Sequence, residues 1–466
     1  RTRIANSLLR QLPALFREHN YAVTAVCHSG RIFAMEPGDT TGTMFGLAVD
    51  IGTTTVVASL LNLVNGKTVG IAAQSNPQIP FGDDVVSRIE YSRANPDGLR
   101  QLQHRMVDCL NQLIADLCKK TLVQPWQIYE LTAAGNATMQ HLFLGVPVEQ
   151  IAQAPYVAAF SEAVNAPARE LGINIHPQGN VYVMPSVAAH IGGDTVAVGL
   201  STAMKFSEEI NLAIDIGTNG EIILGNRDWL VTCSTAAGPA FEGARISHGM
   251  RGAAGAIERL YINQDVECGV IGEVPPTGIC GSGLIDSIAE LLNIGLLDPS
   301  GRLCSRDEIP AAVPPKIRTR LIETDNGPAF TLAYADQTKH GKPILLTQRD
   351  IRETQLGKAA IAAGVATLMH HRQIQPQQIG HLYLAGAFGN YIRPESARRI
   401  GLLPDLPLEK ILFIGNAAST GAREVLLSRQ TRYRAEQLAR EMEYVELAGQ
   451  ADFQNLFADC MFFPEK

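Results

Sequence analysis

Charged residues are scarce in this chain of 466 residues, and basic ones are outnumbered by acidic ones. Asp, Glu, Lys and Arg make up 18% of the sequence, against about 25% in an average globular protein. Hydrophobic residues make up 46%, so the chain can bury a large core and is not expected to be disordered. The formal net charge of −7 argues against a nucleic-acid partner bound over a broad basic face.

Long apolar runs are also missing. No stretch reaches the roughly 18 uninterrupted apolar residues that a membrane span needs, so no membrane partner is expected. The chain starts at Arg1 with neither an initiator Met nor an apolar signal core. We interpret it as a fragment or a processed product.

The eight cysteines lack the spacing of a metal or cluster site, because no pair is arranged as Cys-x-x-Cys. Most lie in apolar or small-residue runs, which is typical of buried free thiols and predicts a reducing, cytoplasmic environment. Cys280 lies between two glycines. A structural role is favoured there over a cluster ligand, since no second cysteine lies at a suitable spacing.

Common phosphate and metal motifs are absent as well. The run ending at residues 66–68 resembles the end of a Walker A loop, but Leu61 occupies the position of its first glycine. No Gly-x-Gly-x-x-Gly opens a helix after a strand, and no His-Glu-x-x-His occurs. A dinucleotide site and a zinc protease site therefore have no support.

The main positive signal is a repeat. Asp-Ile-Gly-Thr occupies residues 50–53 and returns at 215–218, each time between two apolar strand-like runs. Two copies this far apart predict two related lobes rather than a solenoid. Between them, the apolar spacing from Leu99 to Leu117 predicts a long amphipathic helix, which favours the α/β class.

The repeated turn contains groups that suit a nucleotide's phosphate tail. A carboxylate at the end of a strand can hold the water shell of Mg²⁺, Gly allows close approach of the backbone, and Thr adds donors. An ordinary Gly/Thr hairpin turn is the alternative for one copy, whereas the duplicated pair favours phosphate binding. Two such turns facing each other would clamp the phosphates between the lobes.

The first 40 residues have a different character. The apolar spacing in the segment from Ile4 to Asn20 predicts one amphipathic helix, and two short strand-like runs follow. A segment this short cannot easily fold alone, so we expect it to be part of a small domain.

Five elements follow one another along the chain. They are the first turn, a helix start at 188–195, the second turn, a strand and Gly turn at 382–390, and a small-residue run at 414–422. This order resembles the superfamily of actin, sugar kinases and heat-shock chaperone ATPases. The resemblance implies an α/β chain with a two-lobed ribonuclease H-like (actin-like ATPase) fold.

Finer motifs at residues 36–39, 76–89, 134–139, 233–243 and 278–286 resemble the reductive activators of corrinoid-dependent enzymes. That family implies an N-terminal plant-type 2Fe–2S domain, a linker, a small α+β middle domain that dimerises, and the two-lobed ATPase. The expected domains are a partial middle domain (1–43), ATPase lobe I (44–205), and lobe II with a C-terminal helix (206–466).

The resemblance further implies that ATP hydrolysis is coupled to reduction of a Co(II) corrinoid to Co(I). The expected partners are a corrinoid protein or corrinoid-dependent methyltransferase, an electron donor and a second copy of the chain. The expected cofactors are ATP or ADP and Mg²⁺, with a 2Fe–2S cluster only in an upstream domain. A small-molecule kinase of the same superfamily and a nucleotide-dependent scaffold are the alternatives.

Asp50 and Asp215 are predicted to hold the metal and, with Asp194, to form the catalytic set. Asp194 could orient the attacking water or cap a helix that begins at Thr195, and Glu221 and Glu242 are weaker candidates for the hydrolytic base. The predicted nucleotide-binding residues are Gly52, Thr53, Thr54, Thr55, Gly217, Thr218, Asn219, Gly220, Gly281, Ser282 and, for the adenosine wall, Gly386, Ala387, Phe388 and Gly389.

Overall fold

A computed structural model describes residues 3–4, 6–28, 30–386 and 391–465. The chain forms two compact units, which are described separately. The first contains Arg1–Ala197 and Ala418–Ala439, and the second contains Val198–Ala417 and Arg440–Lys466. A segment near the C-terminus therefore groups with the first unit.

Up to the end of α6, the described residues form nine strands and six helices, which belong to the first unit. The strands are β1 (Arg3–Ile4), β2 (Val23–His28), β3 (Arg31–Pro37), β4 (Phe45–Ile51), β5 (Thr55–Asn62), β6 (Thr68–Ser75), β7 (Ile128–Gly135), β8 (Val164–Pro167) and β9 (Asn180–Val183). The helices are α1 (Asn6–Leu9), α2 (Leu12–Glu18), α3 (Val85–Ala94), α4 (Gly98–Thr121), α5 (Ala137–Leu144) and α6 (Gly193–Ser201), the last of which extends past the division.

The central sheet of this unit has six strands in the order β6-β5-β4-β7-β9-β8. Strand β4 pairs antiparallel with β5 and parallel with β7. Helix α4 buries Leu102, Met106, Leu110 and Leu117 at helical spacing against this sheet's core. The predicted amphipathic helix is confirmed.

The described part of the first 40 residues contains a separate three-stranded sheet in the order β1-β3-β2. The prediction of one helix from Ile4 to Asn20 is wrong, because Ile4 lies in β1 and two short helices follow. Pro13 lies in the first turn of α2, where its missing N–H costs no helical hydrogen bond. The same proline in the interior of a longer helix would have broken it.

The second unit has twelve strands in the described part of the chain. They are β10 (Ile210–Ile216), β11 (Gly220–Gly225), β12 (Leu230–Thr235), β13 (Ala256–Ile262), β14 (Val266–Val270), β15 (Gly278–Ile279), β16 (Leu321–Thr324), β17 (Gly327–Ala333), β18 (Ile344–Thr347), β19 (Ile379–Ala385), β20 (Ile411–Gly415) and β21 (Glu443–Tyr444). Its helices are α7 (Gly281–Asn293), α8 (Pro315–Arg320), α9 (Gln348–Arg372) and α10 (Pro394–Arg399), followed along the chain by α11 (Ala417–Leu427), α12 (Arg429–Glu441) and α13 (Phe453–Met461). Most of α11 and α12 belongs to the first unit.

The main sheet of the second unit repeats the arrangement of the first. Its order is β20-β19-β10-β11-β12-β21, with β10 antiparallel to β11 and parallel to β19. Asp50 is paired with Ala134 on the parallel side of β4, and Asp215 is paired with Ala385 on the parallel side of β10. The internal repeat is thus a structural repeat, and each copy belongs to its own sheet.

All eight cysteines are free thiols, and Cys27 is the exposed one among them. Cys109, Cys233, Cys280 and Cys304 are buried. Among the helices that the structure describes, none combines the length and the apolar character required to cross a membrane.

Candidate nucleotide-binding site

The first predicted phosphate turn is a tight connection between two antiparallel strands. Asp50 is the penultimate residue of β4, and Thr55 begins β5, so residues 52–54 form the turn itself. A β-carbon on Gly52 would lie 2.5 Å from the carbonyl oxygen of Thr55. Only glycine fits this position, as expected where the backbone folds closely on itself.

Two asparagines hydrogen-bond to the residues of this turn. Asn76 donates through Nδ2 to the Gly52 carbonyl (2.8 Å), and its own backbone N–H donates to the Thr54 carbonyl (2.9 Å). Asn136 caps α5 by accepting the Met139 N–H, and its Nδ2 donates to the Thr53 hydroxyl (3.0 Å). The contacts give a physical role to two motifs that were recognised only by family resemblance.

Asp194 belongs to the same unit and lies in the first turn of α6, which begins at Gly193 rather than at Thr195. Its Oδ1 accepts the backbone N–H of Thr195 at 2.7 Å. The start of the helix packs closely against the end of β7. A β-carbon on Gly192 would lie only 2.4 Å from the Gly135 carbonyl oxygen.

The electrostatic environment of Asp194 is unusual for a carboxylate. Burial, together with the negative charge of Asp50, raises the pKa of Asp194 to about 7, although the hydrogen bond from Thr195 opposes this shift. Two carboxylates that repel each other in a desolvated place gain stability when a cation binds beside them. Asp50 is therefore suited to hold a hydrated Mg²⁺, with Asp194 beside it.

The second predicted turn has the same construction in the second unit. Asp215 is the penultimate residue of β10 and is paired with Glu221 across the hairpin. The Gly217 N–H donates to the Asn219 carbonyl at 3.0 Å, which closes the turn. A β-carbon on Gly220 would meet Ile361 of α9 at 2.8 Å, so this helix packs directly against the end of the turn.

Glu242 reaches this second turn from a distant part of the chain. The Thr218 hydroxyl donates to Glu242 Oε1 at 2.9 Å. Thr218 was predicted as a phosphate donor and Glu242 as a weaker candidate for the base. Their contact was not predictable from the sequence, since they are separated by two strands and a short 3-10 helix ending at Glu242.

Gly386 also lies beside the second turn. Its φ of +94° is strained for other residues, and a β-carbon would lie 2.7 Å from Asp215 Oδ1 and 2.8 Å from the Ile216 carbonyl. Gly386 therefore lies directly against Asp215, on the side of β10 that pairs with β19. The other predicted adenosine-wall residues, Ala387, Phe388 and Gly389, lie outside the described residues.

Gly281 and Ser282 form the first turn of α7 and are buried. The preceding residue, Cys280, has the N-cap position, and its thiol donates to the Ile257 carbonyl at 3.4 Å. A β-carbon on Gly283 would lie 2.3 Å from the same carbonyl, so the helix starts in close contact with β13.

The structure thus brings the predicted residues into two groups, one in each unit. The first contains Asp50, Gly52, Thr53, Thr54, Thr55 and Asp194, and the second contains Asp215, Gly217, Thr218, Asn219, Gly220 and Gly386. The supporting residues Asn76 and Asn136 and the contact between Thr218 and Glu242 were missed by reasoning from the residues alone.

Comparison with protein families matches the chain along nearly its whole length. Residues 2–42 match the RACo linker region, and residues 45–207 match the RACo middle region. Residues 209–466 match the C-terminal domain of RACo, the ASKHA domain.

Named relatives agree with these matches. The corrinoid activation enzyme RamQ of Eubacterium limosum is 38% identical over 411 residues, which are 88% of this chain and 69% of that protein. A reductase of Methanosarcina barkeri, named for a Co(II) methylated amine-specific corrinoid protein, is 25% identical over 452 residues, covering 89% of this chain and 76% of that protein.

A solved structure, described as a reductive activator for corrinoid, iron-sulfur protein, has 41% sequence identity to the chain and a TM-score of 0.90. The match covers 99% of this chain and 73% of that one. The actin-like ATPase fold that the sequence predicted is confirmed by this match and by the ASKHA domain.

Proposed function

The chain belongs to the RACo family of reductive activators for corrinoid proteins, and on that basis we propose that it binds ATP with Mg²⁺ and couples ATP hydrolysis to the reduction of a Co(II) corrinoid protein to Co(I). The observation that carries the nucleotide part is the duplicated turn. In both main sheets an Asp precedes a Gly-Thr turn at the same position between an antiparallel and a parallel neighbour.

The residues present fit a nucleotide and its metal. Among the residues that the structure describes, no group of three or more His, Cys, Asp and Glu side chains is arranged to hold a metal by itself. Mg²⁺ commonly takes one or two carboxylates together with phosphate oxygens, so a site completed by the nucleotide is consistent with this arrangement. Asp50 and Asp215 are the carboxylates that we assign to it, and bound Mg²⁺ would neutralise charge on the phosphates.

The two turns supply the phosphate contacts in this proposal. The backbone and hydroxyl groups of residues 52–55 and 217–220 face the phosphates, Gly386 and the three residues that follow it form the adenosine wall, and Gly281 and Ser282 contribute at the start of α7. Asp194 orients the attacking water, since it lies beside Asp50 at the start of α6 and its burial raises its pKa, which strengthens it as a proton acceptor.

The redox step moves one electron from a donor to Co(II). ATP can assist it only if the nucleotide binds two conformations of the protein with different affinity. We propose that the electron comes from a 2Fe–2S cluster in an upstream domain, as the family resemblance implies.

We also propose that the protein works as a homodimer and that it is located in the cytoplasm. The eight free thiols suit the reducing environment of that compartment.

Calorimetric titration of the full chain with Mg-ATP tests the nucleotide site. Asp50→Ala and Asp215→Ala should each weaken binding strongly, because each removes a carboxylate beside the metal. Asp228→Ala is the matched control, since the Asp228 side chain is 72% exposed on the second unit and should not affect the affinity. Unchanged affinity in both site variants would refute the assignment.

A second experiment separates the proposed activity from its alternatives. ATP turnover should rise when a Co(II) corrinoid protein is added, and no phosphorylated product should form with candidate sugars or acids. A phosphorylated product would favour a kinase, and turnover indifferent to the corrinoid protein would favour a scaffold.

A further inference from the structure

Arg88 is one of the two largest fully buried side chains in the described part of the chain, the other being Arg320. It belongs to α3, and its guanidinium lies directly behind the first phosphate turn. Nη2 donates to the Thr53 carbonyl at 2.6 Å, and Nε donates to the Gly82 carbonyl at 3.0 Å. Nη1 donates to Gln78 Oε1 at 3.3 Å and to Met139 Sδ at 3.1 Å.

All of these acceptors are uncharged, so the buried charge of Arg88 is expected to contribute little to the stability of the fold. A buried charge is costly unless it is paired, and apolar residues of similar volume often serve a core equally well. Burial lowers the pKa of Arg88 to about 10, although the charges of Asp84 and Asp83 oppose this, so the side chain is still positively charged at neutral pH.

The contact with Thr53 completes a pattern along the turn. The carbonyls of Gly52 and Thr54 accept hydrogen bonds from Asn76, and the carbonyl between them accepts from Arg88. Three successive carbonyls are therefore held on the inner side. In a planar trans peptide the C=O and the N–H point in opposite directions, so this bonding also sets the direction of the amide groups.

We infer that Arg88 is a positioning residue for nucleotide binding: its guanidinium fixes the peptide between Thr53 and Thr54 and holds a positive charge behind the turn, so that the outer face of the turn favours an anionic phosphate chain. Successive oriented amides backed by positive charge form an anion-binding surface. Arg88 acts on the ligand through the turn and not by direct contact. This inference rests on the proposed function.

The test compares ligands that share adenosine and differ in phosphate. Mg-ATP and adenosine are titrated into the full wild-type chain, Arg88→Met, Arg88→Lys and Arg320→Met, with the melting temperature of each. Arg320 is 2% exposed and donates to Asp265, Thr331 and Leu332 in the second unit, so it controls for the loss of any buried arginine.

Arg88→Met should weaken Mg-ATP binding roughly ten- to hundredfold, as expected for the loss of a charged hydrogen bond, and leave adenosine binding unchanged. Arg88→Lys retains the charge but not the planar fork, so it should show a smaller loss with the same restriction to the phosphate-bearing ligand. Arg320→Met should lower the melting temperature without changing the ratio of the two affinities.

Two results would overturn the inference. One is wild-type affinity for Mg-ATP in a folded Arg88→Met or Arg88→Lys variant, and the other is an equal loss for both ligands. If Arg88→Met does not fold, Arg88→Lys decides the matter by the same ratio. A wild-type chain that fails to bind Mg-ATP would instead refute the proposed function, so the two failures are distinguishable.

Discussion

Gly386 lies so close to Asp215 that a β-carbon on residue 386 would stand 2.7 Å from Asp215 Oδ1. The position directly after β19 therefore accommodates only a residue without a side chain. This relationship links the second phosphate turn to Gly386, the residue of the predicted adenosine wall that the structure describes.

Gly386→Ala should consequently weaken Mg-ATP binding by roughly tenfold or more, because the added methyl must displace the carboxylate or the loop. Calorimetric titration measures the effect. Gly327→Ala is the matched control: its φ of +96° is close to the +94° of Gly386, and a β-carbon there meets nothing within 4 Å. Both variants should lose stability from backbone strain, and only Gly386→Ala should lose affinity. Equal affinities would contradict the role assigned to this contact.

Much of the fold was predictable because its signals are local. The Asp-Ile-Gly-Thr repeat, the apolar spacing of α4 and the order of glycine-rich segments each lie within a short stretch of sequence. The single N-terminal helix was mispredicted because the apolar spacing continues past Pro13, a residue that the interior of a long helix does not tolerate.

The support of the site was less predictable, since it depends on long-range contacts. Arg88 lies 35 residues from Thr53, and Asn136 lies 83 residues from it. A buried arginine has no periodic signature, and composition places arginine on the surface. Likewise, nothing in the local sequence around Thr218 indicates that its hydroxyl is paired with Glu242.

The raised pKa of Asp194 leads to a prediction about turnover. A protonated carboxylate can no longer accept a proton from water, so ATP turnover should fall at acidic pH. Because Mg²⁺ bound at Asp50 lowers the pKa of Asp194, this fall should lie below pH 7. Asp194→Asn should lower kcat by roughly a hundredfold or more and leave the affinity for Mg-ATP nearly unchanged. Steady-state rates from pH 5.5 to about 8.5 provide the test.

Glu242→Gln serves as the comparison for that variant. The amide oxygen that this substitution introduces can still accept the Thr218 hydroxyl, but the side chain can no longer act as a base. Because Asp194 is the proposed base, the kcat of Glu242→Gln should remain near the wild-type value. A large loss in Glu242→Gln together with an active Asp194→Asn would transfer the role of the base to Glu242.

Lys358 predicts a pH-dependent stability in the second unit. This amine is 1% exposed, donates to the Phe462 carbonyl at 2.5 Å, and lies over the ring of Phe463. Burial lowers the pKa of Lys358 to about 8, whereas the unfolded value is about 10.4. Between these values the unfolded chain binds more protons, so this group makes the free energy of unfolding rise with pH, by about 3 kcal/mol in total.

Thermal unfolding of wild type and Lys358→Met isolates that contribution. The melting temperature of wild type relative to the variant should increase from pH 7.5 to about 10.5. Lys410→Met is the control, because Lys410 also donates to a carbonyl, that of Ile379, but is only half-buried. A constant difference between wild type and Lys358→Met would show that the amine is not desolvated.

The repeat predicts that nucleotide protects both turns from amide exchange. If residues 50–55 and 215–221 both contact phosphate, saturating Mg-ATP should slow exchange in both segments, because bound amides must be released before they exchange. Nucleotide should also raise the free energy of unfolding by mass action, by about 2.7 kcal/mol when the free nucleotide concentration is a hundred times the dissociation constant. Adenosine alone should protect neither turn to the same extent, since it lacks the phosphates. Protection at 50–55 with none at 215–221 would leave the first turn as a phosphate site and remove the basis for coupling the two copies of the repeat to one nucleotide.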